Sequence, residues 1–572
     1  MPEYVLSPYI HSIESHLDPE NLRSAFFHQL TGDVFELPAD LNEVLLSTRS
    51  GKQIVIDPVE MGTRGQGGRL ILDLIDSHFL IESKSDPTEA LLDYTVIRPI
   101  QNPAVSYRSE NGELIVVRLS MVSRVCSPAP GMTPAVVEEQ LEPRASEVYS
   151  NADGSMTLRE LLERCRIEIP EGKQILEFLS GPERQLIKLA RPNHDLDDPN
   201  QSFNAVPRNL YHSARWQSAE STSPSIDFHT GGIEDADWEF DLIEPTVNHA
   251  FRFPSAALGG DEYGARFFKS TFAGQITTGK SISSLNVLEV GGGTGTFAQS
   301  FIQHATTMHN SGSVKVNYHI LELSPVLAAS QKKRLSTAAA KVEHFQQNAV
   351  AFEIPDRKFD LIIANEVAAD FPTATVEWQW TDDSDKDPRC VGDGANYLEK
   401  YGLSVDHSQQ SFRVNAGTFE FIERAWKHLN PGGRVILTEY GAADLFPVQI
   451  LHLNHDEFSI HFGHVKACAE KVGFTCELLS LADFLRIDQH ALMLAGTDEH
   501  IISLNHILNK FALKVPYAAL SKTDFEKQFG PSLEKIEVTG PRFLPLSRGF
   551  YYGPRLDEFM VLIMTKTERV RN

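Results

Sequence analysis

Glu289, Gly291, Gly293 and Gly295 stand at alternate positions in LNVLEVGGGTGTF, where an apolar run gives way to a helical pattern near Thr296. Glycines have no Cβ and accept positive φ, so such a turn can bring its backbone up against a ligand. Glu322 closes the next apolar run, in YHILELSPVL, where a carboxylate can accept both hydroxyls of a ribose. Leu323 beside it and Asn348 after the following run belong to the same candidate binding set. A fourth run, FDLIIANEVAADFP, carries Asn365 and Glu366 at its end and Asp370 shortly after. Carboxylates placed there can orient an acceptor nitrogen and take up the proton it releases, and a pair of them suits a planar guanidinium. Each has a plainer reading: for Glu366 a contact with the ligand or a loop backbone, for Asp370 a charge at the start of a helix before Phe371. His461, with His464 three residues on, is a third catalytic candidate, although a structural histidine fits equally simple requirements. No third ligand accompanies that pair, and the five cysteines are never spaced as C-x-x-C, so no metal site is expected.

Those residues need a scaffold that ends several buried strands at one edge. After residue 238 the chain supplies apolar runs at 285–290, 316–323, 342–346, 359–364, 433–439, 474–479 and 558–564, separated by helical patterns. Buried runs alternating with helices predict a mostly parallel sheet covered on both faces. Residues 1–145 read as a mixed, strand-containing domain, and 146–190 as a small helical or winged-helix-like module with helices over 157–166 and 171–179. The stretch 191–237, rich in Pro, Asn, Asp, Ser and Gly, reads as a linker or covering loop, and 381–411 as a lid-like insertion. Trp378 and Trp380, just before that insertion, could wall an acceptor pocket or simply be core.

Composition narrows the partners. Of 572 residues, 77 are acidic and 52 basic, a formal net charge of −25 with no basic block to follow a phosphate backbone, which argues against nucleic acid. No apolar run is long enough to span a bilayer, and the scattered cysteines fit a reducing compartment, so a cytoplasmic protein without membrane attachment is expected.

The glycine spacing decides between ligands that share a ribose. A dinucleotide G-x-G-x-x-G frame starting at Gly291 would need glycine or alanine where Thr296 stands, and the frame starting at Gly293 ends on Ala298, a poor match. Glu289-x-Gly291-x-Gly293-x-Gly295 instead resembles the E/D-x-G-x-G-x-G turn of class I S-adenosylmethionine-dependent methyltransferases, as does the Pro-Gly-Gly turn ahead of the strand in HLNPGGRVILTEYG, with Glu439 at its end. The resemblance implies S-adenosyl-L-methionine as cofactor and a Rossmann-like α/β domain over 238–572 with a seven-stranded sheet, completed by an antiparallel last strand at 558–564.

Within that superfamily the C-terminal half resembles the MidA family, which includes the mitochondrial methyltransferase that modifies an arginine of a complex I subunit. Glu322, Ser324, Pro325, Leu327 and Gln331 match its E-x-S-P-x-L-x-x-x-Q block, and Asn365, Glu366 and Pro372 match its N-E-F-F-D-A-L-P block. The family Asp falls on Ala369, with Asp370 one place later, and the D-x-T-x-H-V block is echoed loosely by Asp456, Ser459, His461 and Phe462. The resemblance covers about 240–500 and implies methyl transfer to a nitrogen of a protein or peptide side chain, arginine or amide-like. Two other readings stay open: an O- or N-methyltransferase of small molecules, and a non-catalytic assembly factor that keeps the fold.

Overall fold

The computed structural model describes residues 3–7, 10–13, 24–28, 34–37, 54–55, 71, 74–75, 80–83, 92, 98–102, 105–110, 112–119, 135–181, 184, 186–190, 225–236, 246–278, 283–307, 314–379, 389–405, 411–451, 455–494, 498–536, 543–546 and 559–567. The chain divides into two compact units, one of Met1–Glu220, Leu494–Pro516 and Phe525–Tyr551, the other of Ser221–Met493, Tyr517–Asp524 and Tyr552–Asn572.

The first unit is mixed α/β. Glu113–Leu119 is the middle strand of an antiparallel sheet with Ser106–Glu110 and Val136–Gln140. Helices Pro143–Asn151, Leu158–Arg164 and Ile169–Ser180 bury Val148, Leu161 and Leu179 in one core with Val116 and Ile187. Thr157 and Glu160 close a reciprocal capping box that starts the second helix. The strand after these helices, Ile187–Ala190, pairs with Arg98–Gln101, so the segment expected as a separate module over 146–190 shares its core with the strands before it. Helix Asp498–Asn509 also belongs here: it packs on Glu113–Leu119, and Ser503 Oγ lies 2.8 Å from Ser106 Oγ. The expected domain of 238–572 is thus interrupted, because the apolar face of that helix is completed by strands almost 400 positions earlier.

The second unit is built on an eight-stranded, mostly parallel sheet. Its strands are β1 (Ser284–Val290), β2 (Lys315–Glu322), β3 (Lys341–Gln346), β4 (Phe359–Asn365), β5 (Leu429–Ala442), β6 (Ile460–His461), β7 (Phe474–Ser480) and β8 (Phe559–Lys566). Their order is β3-β2-β1-β4-β5-β8-β7, with β6 pairing with the end of β5. β1 to β5 run parallel, and β8 lies antiparallel to both β5 and β7. Val287, Leu288, Val290, Ile320, Ile362, Ile363 and Leu437 are fully buried, as strands covered on both faces require. The direction of strand succession reverses between β1 and β4, and a crevice opens outside their carboxyl ends, where open α/β sheets bind ligands.

One local expectation changes. Pro431-Gly432-Gly433 is not a turn ahead of β5 but an irregularity within it: Phe359 pairs with Leu429 and Leu361 with Arg434, so the extra residues bulge out. Gly432, at φ 75°, takes the left-handed conformation that this bulge needs.

The helices that matter for the site are α1 (Val247–Ala250), α2 (Tyr263–Thr271), α3 (Thr296–Thr307), α4 (Pro325–Arg334), α5 (Ala395–Tyr401), α6 (Ala416–His428) and α7 (Phe462–Val472). The insertion before α6 contains an antiparallel sheet, with Ala374–Gln379 between Arg389–Val391 and Ser411–Val414. Trp378 packs against the main core there, while Trp380 and the acidic stretch 381–388 lie outside the described residues. Among the described residues no helix is long and apolar enough to cross a membrane.

Candidate active site

A cavity of about 320 Å³ lies at the switch in strand order, bounded by the ends of β1, β2 and β4. The glycine turn forms one wall. Gly291 donates its amide to Leu321 O at 2.9 Å, Gly295 donates to Gly292 O at 2.9 Å, and α3 begins at the next residue. Gly291, Gly293 and Gly295 all have positive φ, of 67°, 50° and 82°. A Cβ on Gly291 would stand 2.6 Å from Val367 Cγ2, and one on Gly295 would stand 3.2 Å from the Gln331 Cα. Gly291 and Gly293 line the cavity, whereas Gly295 turns the chain into α3 and touches α4 instead.

Glu322 is held in place by its own sequence block. Its Oε1 accepts from Ser324 N at 2.9 Å and its Oε2 from Gln331 Nε2 at 2.7 Å. Ser324 Oγ accepts from Leu327 N and so caps α4, with Pro325 in the first turn. Gln331, fully buried, also donates to Gly293 O at 2.9 Å, tying the glycine turn to the carboxylate. The spacing Glu322…Ser324…Gln331 therefore has a physical purpose, which is to fix a buried carboxylate over the cavity. A carboxylate has about four acceptor sites, so one bond on each oxygen leaves capacity for two hydroxyls. Leu323 and Asn348 also line this end. Asn348 Oδ1 accepts from Val350 N at 3.0 Å, which stabilises the turn after β3.

Glu289 lies deeper and accepts from Tyr318 OH at 3.0 Å. Burial pushes its carboxyl up to about 8, the Tyr318 hydrogen bond opposes this, and the charge of Glu322 adds to it. Burial likewise raises Glu322, against its bonds from Ser324 and Gln331.

At the other end Asn365 accepts from Tyr263 OH and Thr438 Oγ1, both at 2.8 Å, and donates to Glu366 Oε1 at 3.0 Å. Glu366 has φ 52°, uncommon for a residue with a side chain. Its two oxygens accept from the backbone amides of Val247 (2.6 Å) and Asn248 (3.1 Å), at the start of α1. Burial pushes the Glu366 carboxyl up to about 7 against these bonds. The turn that follows is pinned by Glu439, whose Oε2 accepts from Ala368 N at 2.8 Å and Ala369 N at 3.1 Å.

Asp370 is not at the start of a helix: residues 371–373 are irregular and lead into the strand Ala374–Gln379. Nor is it free to fork a guanidinium with both oxygens, since one is already engaged. Oδ1 accepts from Ser225 Oγ at 2.6 Å and lies 3.0 Å from His229 Nε2 and 3.2 Å from His455 Nε2. Burial raises this carboxyl, but the His229 charge and the two imidazole hydrogen bonds outweigh it and hold it well below the usual carboxylate range.

The structure thus gathers Glu289, Gly291, Gly293, Glu322, Leu323, Asn348, Asn365, Glu366 and Asp370 around one cavity. His461 is not among them. It caps α7, its Nδ1 accepting from His464 N at 3.2 Å, and its ring stacks on His464 with centroids 3.7 Å apart. Burial and the neighbouring imidazole push it down to about 4, so it stays neutral near pH 7 as a structural group. The described residues of the lid-like segment, 389–405 and 411, do not line the cavity either.

Sequence reasoning missed Ser225 and His229, which line the cavity from the end of the stretch read as linker or covering loop. Phe228 anchors them, packing with Ile233, Ala236 and Leu327 and stacking on His455 at 4.3 Å. Thr246 and Asn248 were missed as well. The usable signal was the pair FHTGG and LNHDEF: histidines inside otherwise featureless polar stretches, with an apolar neighbour to bury them.

Residues 271–446 match a family model described as "Putative S-adenosyl-L-methionine-dependent methyltransferase". Among solved structures, a Burkholderia thailandensis protein bound to S-adenosyl-homocysteine is 15% identical, covering 62% of this chain and 90% of its own, with a TM-score of 0.33. An uncharacterized protein from the same organism is 15% identical over 62% of this chain and 89% of its own, at a TM-score of 0.32. The N-methyltransferase NodS of Bradyrhizobium japonicum, in complex with S-adenosyl-homocysteine, is 13% identical over 45% and 87%, at 0.25. At TM-scores this low the likenesses carry no argument about this chain. A comparison with curated proteins returns no match. The matched segment spans the glycine turn, Glu322 and Glu366, and supports a methyltransferase that takes S-adenosyl-L-methionine as its cofactor.

Proposed function

We propose that the chain transfers a methyl group to a nitrogen of a protein or peptide side chain, with Glu366 orienting the acceptor nitrogen and taking its proton. The observation that carries this reading is Glu366 itself: a non-glycine residue at positive φ, at the carboxyl end of β4, lining the cavity. Its carboxyl, pushed up to about 7, is matched to proton transfer near neutral pH. The resemblance to MidA in the Asn365-Glu366 block supports the choice of nitrogen. The residue also has a structural duty at α1: with Val247, Asn248 and Asn365 donating to it, one of a carboxylate's roughly four acceptor sites, on Oε2, is left for the acceptor nitrogen.

S-adenosyl-L-methionine supplies an activated methyl on sulfonium for in-line displacement. Glu322 would hold its ribose, while Glu289 and the Gly291–Gly293 backbone line the rest of that end. A cavity of about 320 Å³ is at the small end of ligand pockets, roughly 300–1,000 Å³, so the acceptor would enter as one protruding group. With Asp370 engaged by two histidines, an amide-like nitrogen suits this end better than an arginine. Residues 1–220, a unit of their own with parts of the C-terminal region, are the natural place for recognising the polypeptide that carries it.

A small-molecule acceptor is the second reading, and the same single-group access favours it. The test is transfer of labelled methyl from S-adenosyl-L-methionine into fractionated cell extract. Label in a defined polypeptide is the expected outcome; label confined to the low-molecular-weight fraction moves the acceptor to a metabolite, and label in neither turns the chain into a binding factor.

A further inference from the structure

We propose that His229, Asp370 and His455 form a binding site for a divalent transition-metal ion at the acceptor end of the cavity. His229 Nε2 and His455 Nε2 lie 3.0 and 3.2 Å from Asp370 Oδ1, and the three donor atoms all fall within 4.8 Å of one another. Glu457 Oε1 is 3.3 Å from His455 Nε2. A tetrahedral ion with bonds of about 2.0–2.1 Å has ligand-to-ligand edges of roughly 3.3 Å, close to the 3.0 and 3.2 Å from Asp370 Oδ1 to the two histidines.

Four polar groups crowd one oxygen's surroundings: Ser225 Oγ and His229 Nε2 hydrogen-bond to Asp370 Oδ1, and His455 Nε2 lies 3.2 Å from that oxygen and 3.3 Å from Glu457 Oε1. With an ion between them, both imidazoles would present lone pairs, Asp370 one oxygen, and Ser225 would keep its bond and orient the carboxylate. The groups come from three separate segments that the fold fixes firmly. Phe228 stacks on His455, whose side chain is 2% exposed, and Glu439 pins the turn before Asp370. Two imidazoles with a carboxylate suit Zn²⁺, Mn²⁺, Fe²⁺ or Co²⁺, not Mg²⁺ or Ca²⁺, which prefer oxygen alone.

His229 and Asp370 also line the cavity, so a remaining coordination position would face it. An oxygen of the acceptor, such as the carbonyl of an amide, could occupy that position and be polarised there. Only this role rests on the methyltransferase reading; the binding of the ion does not.

The experiment is titration of the metal-free full-length protein with Co²⁺, following visible absorbance, and with Zn²⁺ by calorimetry. S-adenosyl-L-methionine is titrated into the same samples. One equivalent with a cobalt band is expected, and His455→Ala or Asp370→Asn should weaken it by more than the 10–100-fold typical of losing an outer partner. Circular dichroism checks that each variant folds, and the wild-type cobalt band stands as a test without them. No band, or binding undiminished in both folded variants, overturns the site. Retained cofactor binding without metal would refute the ion alone, and metal binding without cofactor would refute the methyltransferase reading alone.

Discussion

At the ribose end of the cavity the hydrogen bonds that hold the glycine turn and Glu322 join residues within 291–331, while those around Glu366 and Asp370 at the acceptor end draw on 225, 229, 247–248, 365 and 455. The first end is local. Gln331 reaches Gly293 and Glu322 from the helix that Ser324 caps, so one short block specifies its own geometry. The second end is tertiary: Glu366 is bound by amides 118 and 119 positions earlier, and Asp370 by Ser225, 145 positions away. A site of the first kind can be read from spacing, and a site of the second kind only from a folded chain.

The largest effect that would sharpen this contrast is expected at Glu366. Glu366→Gln should lower methyl transfer by about 10²–10⁴-fold while changing S-adenosyl-L-methionine affinity only a few-fold, as kinetics beside calorimetry would show. A collapse of cofactor affinity in that variant would assign Glu366 to the ribose end and break the division. Gly291→Val attacks the other end. Its Cβ would meet Val367 Cγ2 at 2.6 Å in a backbone of φ 67°, so cofactor affinity should fall by about 100-fold or more in a chain that still folds.

Protonation separates the ends by a different route. The Glu289 carboxyl is raised to about 8 in the fold, above an unfolded value near 4.3, so the stability it contributes is complete at low pH. That stability is lost as pH rises through about 8. Melting temperatures of the ligand-free protein should therefore fall from pH 5 to pH 9, and Glu289→Gln should flatten the slope; an unchanged slope would mean that folding does not raise the Glu289 carboxyl above its unfolded value. The smallest effect concerns His461, which caps α7 away from the cavity. His461→Ala should cost about 1 kcal/mol of stability in denaturant titration and leave transfer within about twofold. A large loss of transfer would return His461 to the reacting groups.

Much of the second unit's sheet was legible because its strands are long, apolar and buried on both faces: β1, β2 and β4 start and end within a residue or so of the apolar runs. The short β6 was not, since two residues carry no period, and the bulge at Gly432 looked like a turn because glycine serves both. Helix Asp498–Asn509 was assigned to the wrong unit for a related reason: periodicity shows that a face is apolar and says nothing of which strands cover it. Of the residues that line the cavity, Glu289, Gly291, Gly293 and Glu322 were legible from the motif, and Asn365 and Glu366 from the end of β4, while Gly295 belongs to the motif but not to the lining. His229 and His455 were not, because a buried histidine next to a distant carboxylate leaves no spacing in the sequence.

The central claim is that the glycine turn and Glu322 together hold S-adenosyl-L-methionine. Calorimetric titration of the purified protein with that cofactor, with NADH and Glu322→Ala as controls, tests it most directly. The account predicts saturable binding of S-adenosyl-L-methionine, none of NADH, and a loss of roughly 10–100-fold in the variant, as expected for hydrogen bonds to a charged group. Binding of NADH in its place, or affinity for S-adenosyl-L-methionine unchanged without the Glu322 carboxylate, would contradict it.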